Sequence, residues 1–483
     1  MVSASSLFNV GRLGALFCHF HGCHAVHPKS PLKLTKKQRE HLSRPRPVLF
    51  CIIIGLLCAP WMLLFGIDAY LRHQQIQTEL QAKAFFSQIP THTSNASAEQ
   101  VDRLGAQLGL GPNVGYTTPV ALNRNAATAF SSIEPALNEF LYAQSGKASG
   151  PLDPLPPKLA NFISTHQLEI DQLQRYLLEH EPPQWEMDSD RMSDPTYPPP
   201  GFFNIRSLQK ILLLSALQAH QQSQPTKVFD ILEASWQLNK TVANRSDLSS
   251  QVLVAVISSQ RASILRHLDN VPPQWQSRLQ SQLPIQPIMK GVVFETWLRY
   301  RIKQNAWIPT AVASTDAGLA EKFRVIFANR FSAQSYFKLI SLDSTQTAHR
   351  ALDNLNQLNI CTTPQIIAER QLANVKTASW NRSKGISAEV VAKRWQTAGM
   401  RSLSLELSLH VIQLKSHLET TGAWPTDLQP ISSQFCPGEQ WHYTSHPDGS
   451  ISLSFSQKFL SPSAVPLTYR SAPPNRQNPP PEI

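Results

Sequence analysis

Few patterns in this sequence could support catalysis, and each is short. Ser207–Lys210 (SLQK) has the spacing of serine acyl-enzymes, in which a lysine lies three residues after the serine. The SDN and KTG partners of that chemistry are missing, and Ser30–Lys33 has the same spacing. Glu406 and His410 lie one helical turn apart and could pair, whereas His417 lies about 16 Å from Glu406 along a helix. We therefore expect no catalytic, cofactor-binding or metal-binding residues, and a protein that is not an enzyme.

Two segments contain many metal-ligand side chains. The ten residues 18–27 include two cysteines and four histidines, which are the ligands that Zn²⁺ prefers. Their spacing matches no paired CxxC framework, which favours a disordered tail. The acidic, proline-rich segment 181–201 contains Glu186, Asp188, Asp190 and Asp194. It lacks the ligand order and central glycine of an EF-hand, so we interpret it as a solvated loop.

Cys361 and Cys436 are the two cysteines that follow residue 58. Such a pair could form a disulfide in an oxidising compartment and would close a long loop. The sequence cannot place their Cα atoms within bridging distance, so the pairing stays open. Cys51 and Cys58 lie in an apolar run, where small cysteine side chains usually serve packing.

That apolar run, Val48–Ile67, contains twenty residues without a charge, enough for a helix about 30 Å long. Residues 1–47 carry eight basic side chains and one acidic one, a large share of the chain's net charge of +11. The positive-inside rule then predicts a single-pass transmembrane helix whose N-terminus is cytoplasmic. Its topology would be determined by the basic residues nearest the span: Lys33, Lys36, Lys37, Arg39, Arg44 and Arg46.

This interpretation predicts a protein of the plasma (inner) membrane, with most of the chain in an extracytoplasmic, periplasmic domain. The expected partners are the lipid bilayer and other envelope proteins. Aromatic and arginine side chains alternate over residues 297–337, a pattern that could stack nucleic-acid bases. An extracytoplasmic location argues against that role, so we expect no nucleic acid as a partner. The sequence does not indicate an oligomeric state.

Hydrophobic periodicity predicts a mainly α-helical chain that ends in a small β-hairpin. Helices predicted at 205–222, 226–238 and 248–268 could form a stack of helical hairpins or an irregular bundle. We expect the following organisation: a disordered basic cytoplasmic tail at 1–47, a transmembrane helix at 48–70, a membrane-proximal helical region at 71–180, a Pro-rich acidic loop at 181–201, an α-helical domain at 202–396, a helix plus β-hairpin at 397–460, and a Pro-rich disordered tail at 461–483.

The C-terminal unit carries a resemblance to a known family. A long amphipathic helix at 391–420 is followed by Thr421–Leu428 (TGAWPTDL) and by two alternating strands around the turn His446–Gly449. This order resembles the C-terminal part of major pseudopilins, and also the G-x-[WY]-P-x-x-L element of uncharacterised bacterial membrane-anchored proteins. The resemblance covers residues 397–456 and implies a packing unit. In that unit Gly422 would end the helix and Trp424 would dock back onto it.

Three functions are compatible with these patterns. The leading hypothesis is a non-enzymatic, membrane-anchored extracytoplasmic protein that binds or scaffolds other envelope proteins. The second is a cell-envelope hydrolase or transferase whose site is assembled from residues far apart in sequence, and it predicts a pocket that gathers titratable groups. The third is a pilin-like secretion or assembly factor, which rests on the C-terminal unit.

Overall fold

The chain is mainly helical, with a small antiparallel sheet near its C-terminus. It divides into two compact units, residues 1–67 and 68–483. The predicted basic tail, including Lys33 to Arg46 and the Cys/His segment, lies outside the described residues. The computed structural model describes residues 47–112, 120–194, 197, 203–282, 285–305, 318, 334–361, 363, 388–426, 428–456 and 467–473.

The helices are α1 Pro47–Phe86, α2 Ala96–Gln107, α3 Arg124–Ser145, α4 Pro157–Thr165, α5 Gln167–Glu179, α6 Ser189–Met192, α7 Phe203–Gln221, α8 Pro225–Ala243, α9 Leu248–His267, α10 Gln274–Gln280, α11 Ile285–Asn305, α12 Gln334–Asn356 and α13 Ala388–Thr421. The strands are β1 Ile431–Ser432, β2 Gln440–Ser445, β3 Ile451–Phe455 and β4 Thr468–Arg470. They pair in sequence order, each antiparallel to the next.

The predicted transmembrane helix is a wrong prediction. The run Val48–Ile67 is helical, but it forms only the first half of the 40-residue helix α1. The second half of α1 carries charged side chains, among them Glu79 and Lys83. Over the described ranges, no helix combines the length and apolar character that a bilayer crossing requires. The single-pass anchor, the signal-anchor interpretation and the inner-membrane and periplasmic location derived from them are therefore not supported.

Helices α7, α8 and α9 form the centre of the larger unit. The three helices predicted there are present, and α7 packs against α8 while α8 packs against α9. Apolar side chains on more than one face of α7 are buried, among them Leu208, Ile211 and Leu212. Neighbouring elements therefore cover α7 on several sides. Helices α2 to α5 cover this centre and contribute to the same hydrophobic core.

Helix α13 lies between two hydrophobic clusters. Leu405 and Ile412 pack into the core around α7 to α9. Leu403, Leu407 and Val411 pack into a second core with the sheet, where Trp441 is fully buried. The predicted hairpin is confirmed as β2 and β3. The sheet extends further than predicted, because Thr468–Arg470 forms β4 within a segment that we expected to be disordered.

Helix termini in both halves of the larger unit have identifiable caps. Helix α1 ends at Phe86, and Asn95 is the N-cap of α2. The side chain of Asn95 accepts a hydrogen bond from the Ala98 N–H at 2.9 Å. At the other end of the chain, Gly422 stops α13 with a φ of +74°, and Trp424 packs against the second core.

A disulfide joins Cys361, beyond the end of α12, to Cys436, before β2. The Cα atoms lie 5.7 Å apart, and both residues belong to the second hydrophobic core. The bond closes a loop with a sequence separation of 75 residues. It therefore restrains the unfolded chain over a long segment.

We expect the double substitution Cys361→Ser/Cys436→Ser to lower the free energy of unfolding by about 4 kcal/mol, because a loop of this length loses considerable closure entropy. Urea unfolding with and without dithiothreitol measures the effect. The reductant should destabilise the wild type by a similar amount and leave the double variant unchanged. A wild type whose unfolding curve ignores the reductant would contradict this expectation.

Gly109 provides a test of the packing between α2 and α3. Its φ is +82°, and a Cβ atom there would lie 2.2 Å from the Ala127 backbone nitrogen. Gly422 has a similar φ, but nothing lies within 4 Å of its Cβ position. We expect Gly422→Ala to cost about 1 kcal/mol from backbone strain. Gly109→Ala should cost about 3 kcal/mol or more, since backbone atoms must also move. Equal losses of stability for the two variants in thermal unfolding would contradict the close contact between Gly109 and the α3 backbone.

Candidate functional site

The serine–lysine motif serves packing. Ser207 and Lys210 are both buried in α7. The Lys210 ammonium donates a hydrogen bond to Oδ1 of Asn138 on α3. Burial lowers the pKa of Lys210 to about 8, and the nearby charge of Arg206 adds to this effect. At neutral pH most of the ammonium therefore remains protonated, and it connects α7 to α3 instead of activating a nucleophile.

Glu406 and His410 pair inside the protein, as the sequence allowed. Their side chains are 5% and 4% exposed, and the Nε2 to Oε1 distance is 3.8 Å. Glu406 also accepts hydrogen bonds from Ser433 Oγ, at 2.7 Å, and from the Gln434 backbone. Burial alone would raise the pKa of Glu406, but His410 and these hydrogen bonds outweigh it and lower the pKa. The Glu406 carboxylate thus joins the chain that follows β1 to α13. His417 lies exposed on the same helix.

The acidic loop is also used for structure. Asp188 caps α6 by accepting hydrogen bonds from the backbone of Asp190 and Arg191. Glu186 pairs with Arg191, and Asp190 pairs with Arg301 of α11 at 2.5 Å. Because arginines occupy these carboxylates, the arrangement does not resemble a calcium site. In the part of the chain that the structure describes, no group of three or more His, Cys, Asp or Glu side chains could hold a metal ion.

One cavity lies beside α8 and α9, at the end of α10. Its volume is about 230 Å³. A second cavity, between α11 and α12, measures about 20 Å³ and has room for about one water molecule. We call the larger one the Trp236 cavity. It is lined by an indole, three amides, an ammonium and a hydroxyl group, which belong to Trp236, Asn239, Gln251, Gln282, Lys240 and Ser281.

A row of alternating cations and aromatic rings begins at this cavity, where Lys240 and Trp236 are part of the lining. The Arg278 guanidinium lies between two indoles, 4.3 Å from the ring centre of Trp236 and 4.9 Å from that of Trp275. Lys240 Nζ lies 5.3 Å from the ring centre of Trp236. Arg261 Cζ lies 5.9 Å from that of Trp275. Each contact within about 6 Å of a ring face is attractive, so the row fixes the position of Trp236.

Arg261 of α9 lies fully buried at the inner end of the row. Its guanidinium donates hydrogen bonds to Gln282 Oε1, at 3.1 Å, and to Ser235 Oγ, at 3.4 Å. Burial lowers the pKa of Arg261 to about 9, and the charge of Arg278 lowers it further, against the opposite effect of Glu233. Arg261 therefore stays charged at neutral pH. Among the described residues, no carboxylate forms an ion pair with it.

Two side chains of the cavity lining contain a buried polar atom without a hydrogen-bond partner among the described residues. Asn239 is 1% exposed, and its Nδ2 donates to Ser258 Oγ at 2.9 Å, but its Oδ1 has no such partner, and neither has Trp236 Nε1. A buried polar group without a partner costs about 1–3 kcal/mol. These two atoms have almost no accessible surface, so they are not open to a group inside the cavity. The open cavity itself, lined by a ring, amides and an ammonium, indicates a binding site.

Sequence reasoning did not find this site. Trp236 lies in the helix predicted at 226–238 and is partly buried. Arg278 lies in the short helix α10, beyond the three helices predicted in this region. The salt bridge between Glu233 and Arg278 joins residues 45 positions apart. No local pattern indicates a contact of that range.

The comparisons with known proteins identify no family. No protein-family model matches the chain, and no curated protein sequence or solved structure is significantly similar to it.

A buried histidine couples the end of α9 to the chain after α3. The Nε2 atom of His267 lies 3.3 Å from the Lys147 carbonyl oxygen. Burial lowers the pKa of His267 to about 4, and the cations Arg266 and Lys415 lower it further, against the hydrogen bond to Lys147. The folded protein therefore holds this ring neutral at a pH where the unfolded chain, with an ordinary pKa of about 6.5, takes up a proton.

We expect the free energy of unfolding to decrease as the pH falls from about 6.5 to about 4, by at most about 3 kcal/mol from His267 alone. The decrease stops below about pH 4, where both states are protonated. His267→Gln should remove this contribution. The free energy of unfolding, measured with urea, should then fall less steeply on the acid side of its pH profile (the acid limb). His417→Gln, at an exposed position on α13, should leave the limb unchanged. An acid limb identical in His267→Gln and wild type would contradict the assignment.

Proposed function

We propose that this protein is a non-enzymatic helical scaffold that binds another protein at the Trp236 cavity. The observation that carries the proposal is an open cavity of about 230 Å³ whose lining includes Trp236, the Lys240 ammonium and three amide side chains. Tryptophan and arginine dominate the energetics of protein–protein contacts, and here they lie together in the cation–aromatic row. A side chain of a partner would fill the cavity and contact this lining.

The roles of the buried titratable groups support binding over catalysis. Lys210, Glu406 and Arg245 each hold two elements of this chain together: Lys210 through Asn138, Glu406 through Ser433, and Arg245 through the loop carbonyl oxygens of Trp185 and Glu186. A hydrolase or transferase needs such groups gathered around an open pocket. The Trp236 cavity instead offers amide, indole and ammonium groups, which suit recognition.

Photo-crosslinking tests this proposal. Ala243 is exposed and lines the cavity, so p-benzoylphenylalanine at position 243 should form an adduct with one protein in cells that produce the chain. That protein, identified by mass spectrometry and purified, should bind the full-length chain in calorimetry. Its affinity should fall about tenfold or more with Trp236→Ala, as for a hot-spot residue.

The control places the same crosslinker at Lys158, an exposed position on α4. Adducts that are identical at positions 158 and 243 would overturn the proposal. A purified adduct protein that binds the Trp236→Ala variant as tightly as the wild type would overturn it as well.

The order of the C-terminal elements favours a second candidate, a pilin-like assembly factor. Helix α13, the stop at Gly422 and the β2–β3 hairpin follow one another as in the resemblance to major pseudopilins. Deleting this unit cannot test the idea, because α13 contributes Leu405 and Ile412 to the main core. A crosslinker at His442, exposed on β2, distinguishes the two candidates. Specific adducts at position 442 and none at 243 would favour the assembly factor.

A further inference from the structure

The charges around the Trp236 cavity are unbalanced. Lys240, Arg261 and Arg278 contribute three cations, and Glu233 contributes the one carboxylate that pairs with any of them among the described residues. Glu233 is engaged by Arg278 through both carboxylate oxygens. Two positive charges are therefore left at a partly enclosed site, where the reduced dielectric strengthens their effect on an incoming anion.

The lining presents donors to the cavity. Since Gln282 Oε1 accepts the hydrogen bond from Arg261, the Gln282 amide has its NH₂ group left as a donor. The Arg261 charge polarises this amide, which makes the NH₂ group a better donor. The exposed Lys240 ammonium can only donate. Two donors of this kind suit a group that only accepts hydrogen bonds.

A carboxylate fits these donors better than a phosphate does. Of the three cations, Lys240 lines the cavity directly. Arg261 acts through its hydrogen bond to Gln282. Arg278 lies behind the Trp236 ring, and its charge is paired with Glu233. A single cation in direct contact matches a carboxylate, which carries one negative charge. Phosphate sites instead tend to contain several arginine side chains that bind through paired hydrogen bonds.

We propose that the Trp236 cavity binds a glutamate or aspartate side chain of a partner protein, whose carboxylate contacts Lys240 and Gln282 beside the Trp236 ring. This inference rests on the proposed function and adds the chemistry of the inserted group. It predicts that an acidic peptide is preferred over its amide counterpart and that salt weakens binding.

Fluorine NMR of the full-length chain labelled with 5-fluorotryptophan tests the inference. The probes are the peptides acetyl-Gly-Glu-Gly-amide and acetyl-Gly-Gln-Gly-amide, with inorganic phosphate as a third arm. Comparison with Trp236→Phe assigns the Trp236 signal among the ten tryptophans. The glutamate peptide should shift this signal saturably, and the glutamine peptide should bind about fivefold more weakly or worse. The signal of the fully buried Trp441 should stay constant.

Lys240→Gln should remove the preference for the glutamate peptide. Lys158→Gln is the matched control, because it loses the same charge at an exposed position on α4 and should retain the preference. Equal binding of the two peptides would overturn the carboxylate assignment and leave protein binding at the cavity intact. A Trp236 signal that shifts with neither peptide, or that shifts more strongly with phosphate, would also overturn the assignment. The crosslinking experiment at position 243 decides separately whether a protein binds there.

Discussion

The two-sided apolar character of α13 is the constraint on which the rest of the larger unit depends. A helix that presents apolar side chains on opposite faces has to be covered on both. Leu405 and Ile412 lie in the helical core, while Leu403 and Val411 face the core that includes the sheet. The same helix packs against α9 and α10, which carry Arg261 and Arg278 respectively, so the position of the cavity wall follows from the packing of α13.

The buried Arg261 is the costliest group in the arrangement. A guanidinium that leaves water without a carboxylate partner is destabilising unless hydrogen bonds and aromatic faces compensate for part of the loss. Gln282, Ser235 and the Trp275 ring supply that compensation. An apolar residue of similar size would pack without the electrostatic penalty. The charge adds to the attraction of the adjoining cavity for anions.

Sequence periodicity predicted the helices α7 to α9, the long α13 and the β2–β3 hairpin, because local amphipathic patterns determine such elements. It did not predict β4, since a three-residue strand in a Pro-rich segment is stabilised by pairing with β3. The membrane prediction was wrong: the run 48–67 lies in the helix that continues to Phe86, and no helix among the described residues is long and apolar enough to cross a bilayer. The candidate site was out of reach, because Glu233 and Arg278 meet only through tertiary packing.

The central claim is that a partner's carboxylate meets Lys240 at the mouth of the Trp236 cavity. A reciprocal charge swap tests it most directly, with affinities measured by calorimetry between the full-length chain and its crosslinked partner. Lys240→Glu alone, or the partner's contacting acidic residue changed to lysine alone, should each weaken binding about fivefold or more. The account predicts that combining the two changes restores most of the affinity. Losses that simply add in the combined variant would contradict it.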